Sequence, residues 1–236
     1  MCARFTLDVE IQQLRDAFEL TNSIEIRPTW NRAPGAMSPI VIKDRIGLAK
    51  WGLKPTWAKP GMKAPHNARI ETAATKPYFR NAWAKRRCLV PATGFYEWQA
   101  TKTGKQPIYF SYPGQFFAFA GLWEKVNGQK AADEEKANKE RAGSKRADEE
   151  QADNEVTFTI LTQAAIDPVA AIHHRMPVIL PPEAYDRWLA GDLATTESVI
   201  TEQSSPYMQT IAARPVSRTV NNARNDSADL IAENSK

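Results

Sequence analysis

The chain has 236 residues, of which 42% are hydrophobic and 9% aromatic, and carries a net charge of +4. That suits one domain with a real core, and no run approaches the roughly 18 apolar residues that cross a bilayer. Charges at Asp8, Glu10, Arg15, Asp16 and Glu19 argue against a signal peptide, so a soluble, cytoplasmic protein is expected.

The elements follow in chain order. "DVEIQQLRDAFEL" has apolar residues at 9, 11, 14, 17, 18 and 20, which is helical spacing. "SPIVIKD" and "RIGLAKWGL" are β-branched and aromatic runs, and "HNARIETAATKPYF" alternates Asn67, Arg69 and Glu71 with small or apolar residues as a strand would. "RRCLVPATGFYEWQ", "QPIYFSYP", "FFAFAGLW" and "TFTILTQ" are further strands divided by Pro and Gly, and Cys88 falls in a run that reads as buried. "PPEAYDRWLA" opens on proline and reads as a short amphipathic helix. Many strands with a few helices predict an α+β fold with a curved, barrel-like mixed or antiparallel sheet.

Residues 129–155 interrupt this pattern. They hold nine acidic and six basic residues and no large apolar one, so they cannot bury a face. They read as an insertion in a hairpin-type connection within a single domain spanning 1–236. The remaining body has 25 basic against 18 acidic residues, a balance that suits a polyanionic partner or plain solubility.

Chemistry concentrates in a few stretches. Two cysteines and three histidines (His66, His173 and His174) form neither a disulfide framework nor a metal-ligand spacing, so no metal or cofactor is expected. Cys2 follows the initiator methionine directly. It is either a small buried side chain or, once Met1 is removed, a 1,2-aminothiol. The α-amine of such a terminus titrates at roughly 7.7–8.0 against about 10.4 for lysine, so it can attack an aldehyde near neutral pH. The adjacent thiol then closes a five-membered thiazolidine. Glu97 sits among aromatics in a strand, where desolvation would raise its pKa; solvent exposure is the alternative. His173 precedes a β-branched strand, a position suited to acid–base work or to a structural role.

Seven stretches, in order, resemble the SRAP (SOS-response-associated peptidase) family, whose members cross-link to abasic sites in single-stranded DNA. Met1, Cys2 and Arg4 match its M-C-G-R opening, with Ala3 in place of glycine. "WNRAPG" at 30–35 is similar to its N-x-A-P turn, and "WGLKPTW" at 51–57 to its W-G-L-x-P-x-W run. "NARIETA" at 67–73, "GFYEW" at 94–98, "IHHRMPVIL" at 172–180 and "PVSRTVNNARND" at 215–226 complete the series. His174 stands where the family often has aspartate.

The resemblance implies a covalent cross-link between the Cys2 terminus and a ring-opened abasic sugar. Asn67 would orient Cys2, Glu97 would move protons, and His173 would assist ring opening and reversal. Arg4, Arg69 and Arg175 would grip phosphates, while Asn31, Pro34 and Trp57 would bend the strand and shape the pocket. The partner would be single-stranded DNA containing abasic sites, bound by a monomer without a membrane. Two alternatives stay open: an N-terminal-cysteine hydrolase with His173 as base, and a non-catalytic binder of single-stranded or modified DNA.

Overall fold

The computed structural model describes residues 2–59, 61–126, 155–191 and 205–232. Its centre is a ring of five strands: β3 (Met37–Ile42), β4 (Arg45–Trp51), β6 (Arg87–Ala92), β9 (Phe117–Lys125) and β10 (Val156–Ala164). The order β10-β4-β3-β6-β9 closes because β9 also pairs antiparallel with β10, from Val156↔Lys125 to Ile160↔Gly121. The β4–β10 pair is parallel, so the barrel is mixed. The expected α+β, barrel-like fold is the observed one.

Three short strands extend this sheet. β5 (Asn67–Arg69) runs parallel to β10, β11 (Arg175–Pro177) runs antiparallel to it, and β12 (Ile179–Leu180) pairs with β9. A second, antiparallel sheet has the order β13 (Ala212–Pro215), β8 (Gly104–Ser111), β7 (Gly94–Thr101), β1 (Phe5–Leu7), β2 (Thr29–Arg32). Phe5 and Phe95 join the sheets, with Phe5 5.1 Å from the Trp51 ring and Phe95 6.1 Å from that of Phe119.

Strand alternation feeds two apolar clusters. On β9, Phe117 and Phe119 enter one together with Trp51, Phe158 and Ile160. Ala118, Ala120 and Leu122 enter the other, which the helices cover. A fully buried aromatic of this size contributes roughly 1.5–3 kcal/mol. The helices are short: α1 (Ile11–Ala17), α2 (Ile70–Ala73), α3 (Arg80–Lys85), α4 (Tyr185–Ala190) and α5 (Ser205–Gln209). α1 starts later than its hydrophobic period because Glu10 forms a capping box, its N–H donating to Gln13 Oε1 at 2.9 Å. Among the described residues, no helix is long and apolar enough to cross a membrane.

Two sequence expectations need correction. The run 86–99 holds two strands in different sheets, since β6 ends at Ala92 and β7 starts at Gly94. Gly94 is required there: a Cβ would lie 2.3 Å from the Tyr109 ring. The strand expected through Glu71 stops at Arg69, and the chain turns into α2, so Glu71 does not share a strand face with Asn67. The predicted insertion lies outside the described residues except at Glu155. Its flanks β9 and β10 are antiparallel neighbours, closed by Val126 N–H donating to Glu155 O at 2.8 Å.

Candidate active site

The N-terminal strand brings the site together. β1 pairs antiparallel with β7 at Phe5↔Phe95 and Thr6↔Gly94, and Tyr96 N–H donates to Arg4 O at 3.1 Å. Extending that register toward the terminus sets Ala3 beside Glu97. Both line a cleft of about 390 Å³ together with Trp98, Lys105, His173 and Asn221.

Cys2 is fully buried, and Asn67 Nδ2 donates to its carbonyl at 2.6 Å. Asn67 can reach it because β5 is fixed on both sides. It pairs with β10 at Ile160↔Asn67, and Trp51 Nε1 donates to His66 O at 2.7 Å just before it. Burial pushes the Cys2 thiol far up, and the negative charge of Glu97 adds to the rise. The thiol therefore stays protonated in the resting protein.

Glu97 is 3% exposed. Burial pushes its carboxyl above the usual range, opposed chiefly by the positive charge of the Met1 amine. His173 Nδ1 lies 2.9 Å from the Arg175 backbone nitrogen and 3.0 Å from its oxygen, so the ring is held in either tautomer. Burial and then the N-terminal charge lower its pKa, favouring the neutral ring. His173 and His174 stack at 4.4 Å, yet only His173 lines the cleft.

This constellation makes the comparisons with known proteins specific. Residues 1–223 match the family described as SOS response associated peptidase (SRAP). The chain belongs to the SRAP family. Its SRAP relatives include "Abasic site processing protein YoqW" of Bacillus subtilis, 34% identical over 98% of this chain and 99% of that one. "Abasic site processing protein YedK" of Escherichia coli is 32% identical over the same shares. A solved structure of a Bacteroides thetaiotaomicron protein shares the SRAP fold, with a TM-score of 0.76 at 20% identity over 98% of this chain and 99% of that chain.

The residues expected to contact DNA in this SRAP chain divide into two groups. Arg69, Pro34 and Trp57 are exposed, with Trp57 set edge-on to Tyr78 at 5.5 Å. Asn31 is 3% exposed, and its Nδ2 donates to three carbonyls, Val220, Asn222 and Asn225. Its oxygen accepts from Arg4 Nη1 at 2.7 Å, so Asn31 is an internal clamp on the C-terminal segment rather than a surface contact. Arg4 is partly buried, and the same Nη1 also donates to Val220 O at 3.0 Å. Arg175 is 7% exposed and forks onto Glu71 at 2.5 and 2.9 Å, with a further bond to Thr162 O at 2.6 Å. A phosphate reaches that guanidinium only by displacing Glu71, so Arg175 acts here as a brace between α2 and β10.

Three cleft residues had no assigned role in the sequence. Trp98 and Asn221 lie inside two of the resembling stretches, and only that position could have marked them. Lys105 follows a Thr-Gly turn and carries no signal of its own.

Proposed function

We propose that this chain processes abasic sites in single-stranded DNA by cross-linking to them through Cys2. The observation that carries this reading is the hydrogen bond from Asn67 to the Cys2 carbonyl beside a cleft lined by Glu97 and His173. It orients a terminal residue, which a plain core cysteine would not need.

Removal of Met1 frees the Cys2 α-amine. The neutral amine adds to the aldehyde of the opened sugar and gives a carbinolamine. Glu97, whose burial favours the protonated carboxyl, donates to the carbinolamine hydroxyl, and water leaves. The Glu97 carboxylate then takes the Cys2 thiol proton, and sulfur adds to the imine carbon. One water is lost, Glu97 regains its proton, and a thiazolidine remains. His173, neutral and held by the Arg175 backbone, is suited to moving the sugar hydroxyl proton during ring opening. Arg4, Arg69, Pro34 and Trp57 would receive the strand. If the chain removes Met1 itself, that step is a peptidase activity.

A buried thiol with a raised pKa speaks against a cysteine hydrolase, whose nucleophile is a thiolate. The test is a denaturing gel with abasic single-stranded DNA. Protein with a verified Cys2 terminus should give a denaturant-resistant band, absent for Cys2→Ala and for protein retaining Met1. No band from the verified protein ends the cross-linking reading. Salt-sensitive binding that survives Cys2→Ala without any band would favour a non-covalent binder.

A further inference from the structure

The cleft beside Cys2 has a wall that the covalent chemistry leaves unused. Trp98 Nε1 donates to Asn221 Oδ1 at 2.7 Å. An indole N–H can only donate, so Asn221 must turn its oxygen to Trp98. Its amide nitrogen keeps both hydrogens for the cleft that Asn221 lines. The residue ends a 3-10 turn, Arg218–Asn221, and the preceding carbonyl, Val220 O, accepts from Arg4 Nη1 at 3.0 Å and Asn31 Nδ2 at 3.1 Å. Two internal braces thus fix where this amide stands.

Lys105 lines the same cleft, is exposed, and forms no ion pair among the described residues. Its charge reaches His173, whose pKa is lowered first by burial and, to a lesser degree, by Lys105. Asn221 Nδ2 and Lys105 Nζ are donors without acceptor capacity. An opened abasic sugar offers an aldehyde and hydroxyls; its anionic groups are the phosphodiesters on either side.

We propose that Asn221 and Lys105 form a phosphodiester subsite that holds one phosphate flanking the lesion, with Trp98 as the residue that positions Asn221. This rests on the reading of Cys2 as the cross-linking residue. It gives the site a means of preferring an aldehyde within a nucleic-acid strand over a free one.

Two variants test it. Lys105→Gln removes the charge. Asn221→Asp keeps an acceptor for Trp98 and replaces the donors with an oxygen. Each should slow adduct formation with abasic single-stranded DNA about tenfold, the scale of one charge-assisted contact. The second substrate is the same strand with uncharged methylphosphonates at the two phosphates flanking the lesion. There wild type should slow by a similar factor, and the variants should lose nothing more. An equal loss on both strands, or no loss on the native strand, overturns the subsite. Non-covalent binding is measured separately in a Cys2→Ala background. The slope of log K against log salt should be shallower by about 0.7 for Lys105→Gln, the value for one phosphate contact on a single strand. An unchanged slope also overturns it. Should wild type give no adduct at all, the cross-linking reading fails, and the salt slope still decides the phosphate contact.

Discussion

At the scale of single residues, the role proposed for Glu97 is set against stability. Its folded pKa lies above its unfolded value, because burial penalises the carboxylate. Folding therefore favours the protonated form. Stability from this group is complete below the unfolded pKa and is lost as pH rises through the folded one. Glu97→Gln removes the titration while keeping the shape. Its melting temperature should exceed that of wild type at pH 8 and match it at pH 4, and cross-linking should slow by about 10²-fold, the usual range for a lost general acid. Thermal scans at the two pH values check the first part; an equal gain at both would show that burial of charge is not the cause. Cys2, Glu97 and His173 could be singled out in the sequence because the chemistry proposed for them depends on residue type and on neighbours close along the chain. Asn31 and Arg175 were not: the sequence displays their donors but not the carbonyls and carboxylate, more than a hundred residues away, that take them up.

At the scale of elements, the decisive place is the switch from β5 to α2. Three residues pair with β10, enough to aim Asn67 at Cys2, and then the chain leaves the sheet. Strand alternation in "NARIETA" was misleading because "IETA" serves a four-residue helix equally well. Leaving the sheet puts Glu71 where Arg175 on β11 can fork onto it, and this pair ties α2 to the strand that follows His173. The two partners differ in exposure, at 9% for the Arg175 side chain and 47% for that of Glu71. Glu71 is held below the usual carboxylate range mainly by its hydrogen bond to Arg175. Removing one partner costs what it takes to leave the other charge stranded. Glu71→Gln takes the counter-charge from a buried guanidinium that keeps Thr162 O, and should cost about 3 kcal/mol, the low end for a buried pair because Glu71 is half exposed. Arg175→Met strands a carboxylate that water already reaches, so its loss should be the smaller of the two. Urea denaturation of both variants measures the order; the reverse order would mean that packing of the Arg175 stem, not charge, dominates.

For the whole molecule, composition and strand count gave the α+β class, but closure of the barrel rests on pairings no local pattern contains. Lys50 meets Thr157 across the parallel β4–β10 contact. The charged stretch falls between the two strands whose pairing completes the ring. Since β9 and β10 are antiparallel neighbours and Val126 bonds to Glu155 at their end, a short turn can replace residues 127–154 without altering any described strand. Shortening a connection of 28 residues to four reduces the closure entropy cost by about 1.7 kcal/mol. For a chain of this size that should raise the melting temperature by roughly 3–7 °C. The removed residues carry eight acidic and six basic side chains, so the net charge rises from +4 to +6. Binding to single-stranded DNA should therefore tighten at low salt and converge with wild type as screening grows. Calorimetry and a salt-dependent binding titration measure the two effects independently. A fall in melting temperature would show that the segment supports the barrel. Weaker binding at low salt would show that it holds the strand, and that the basic body alone does not govern affinity.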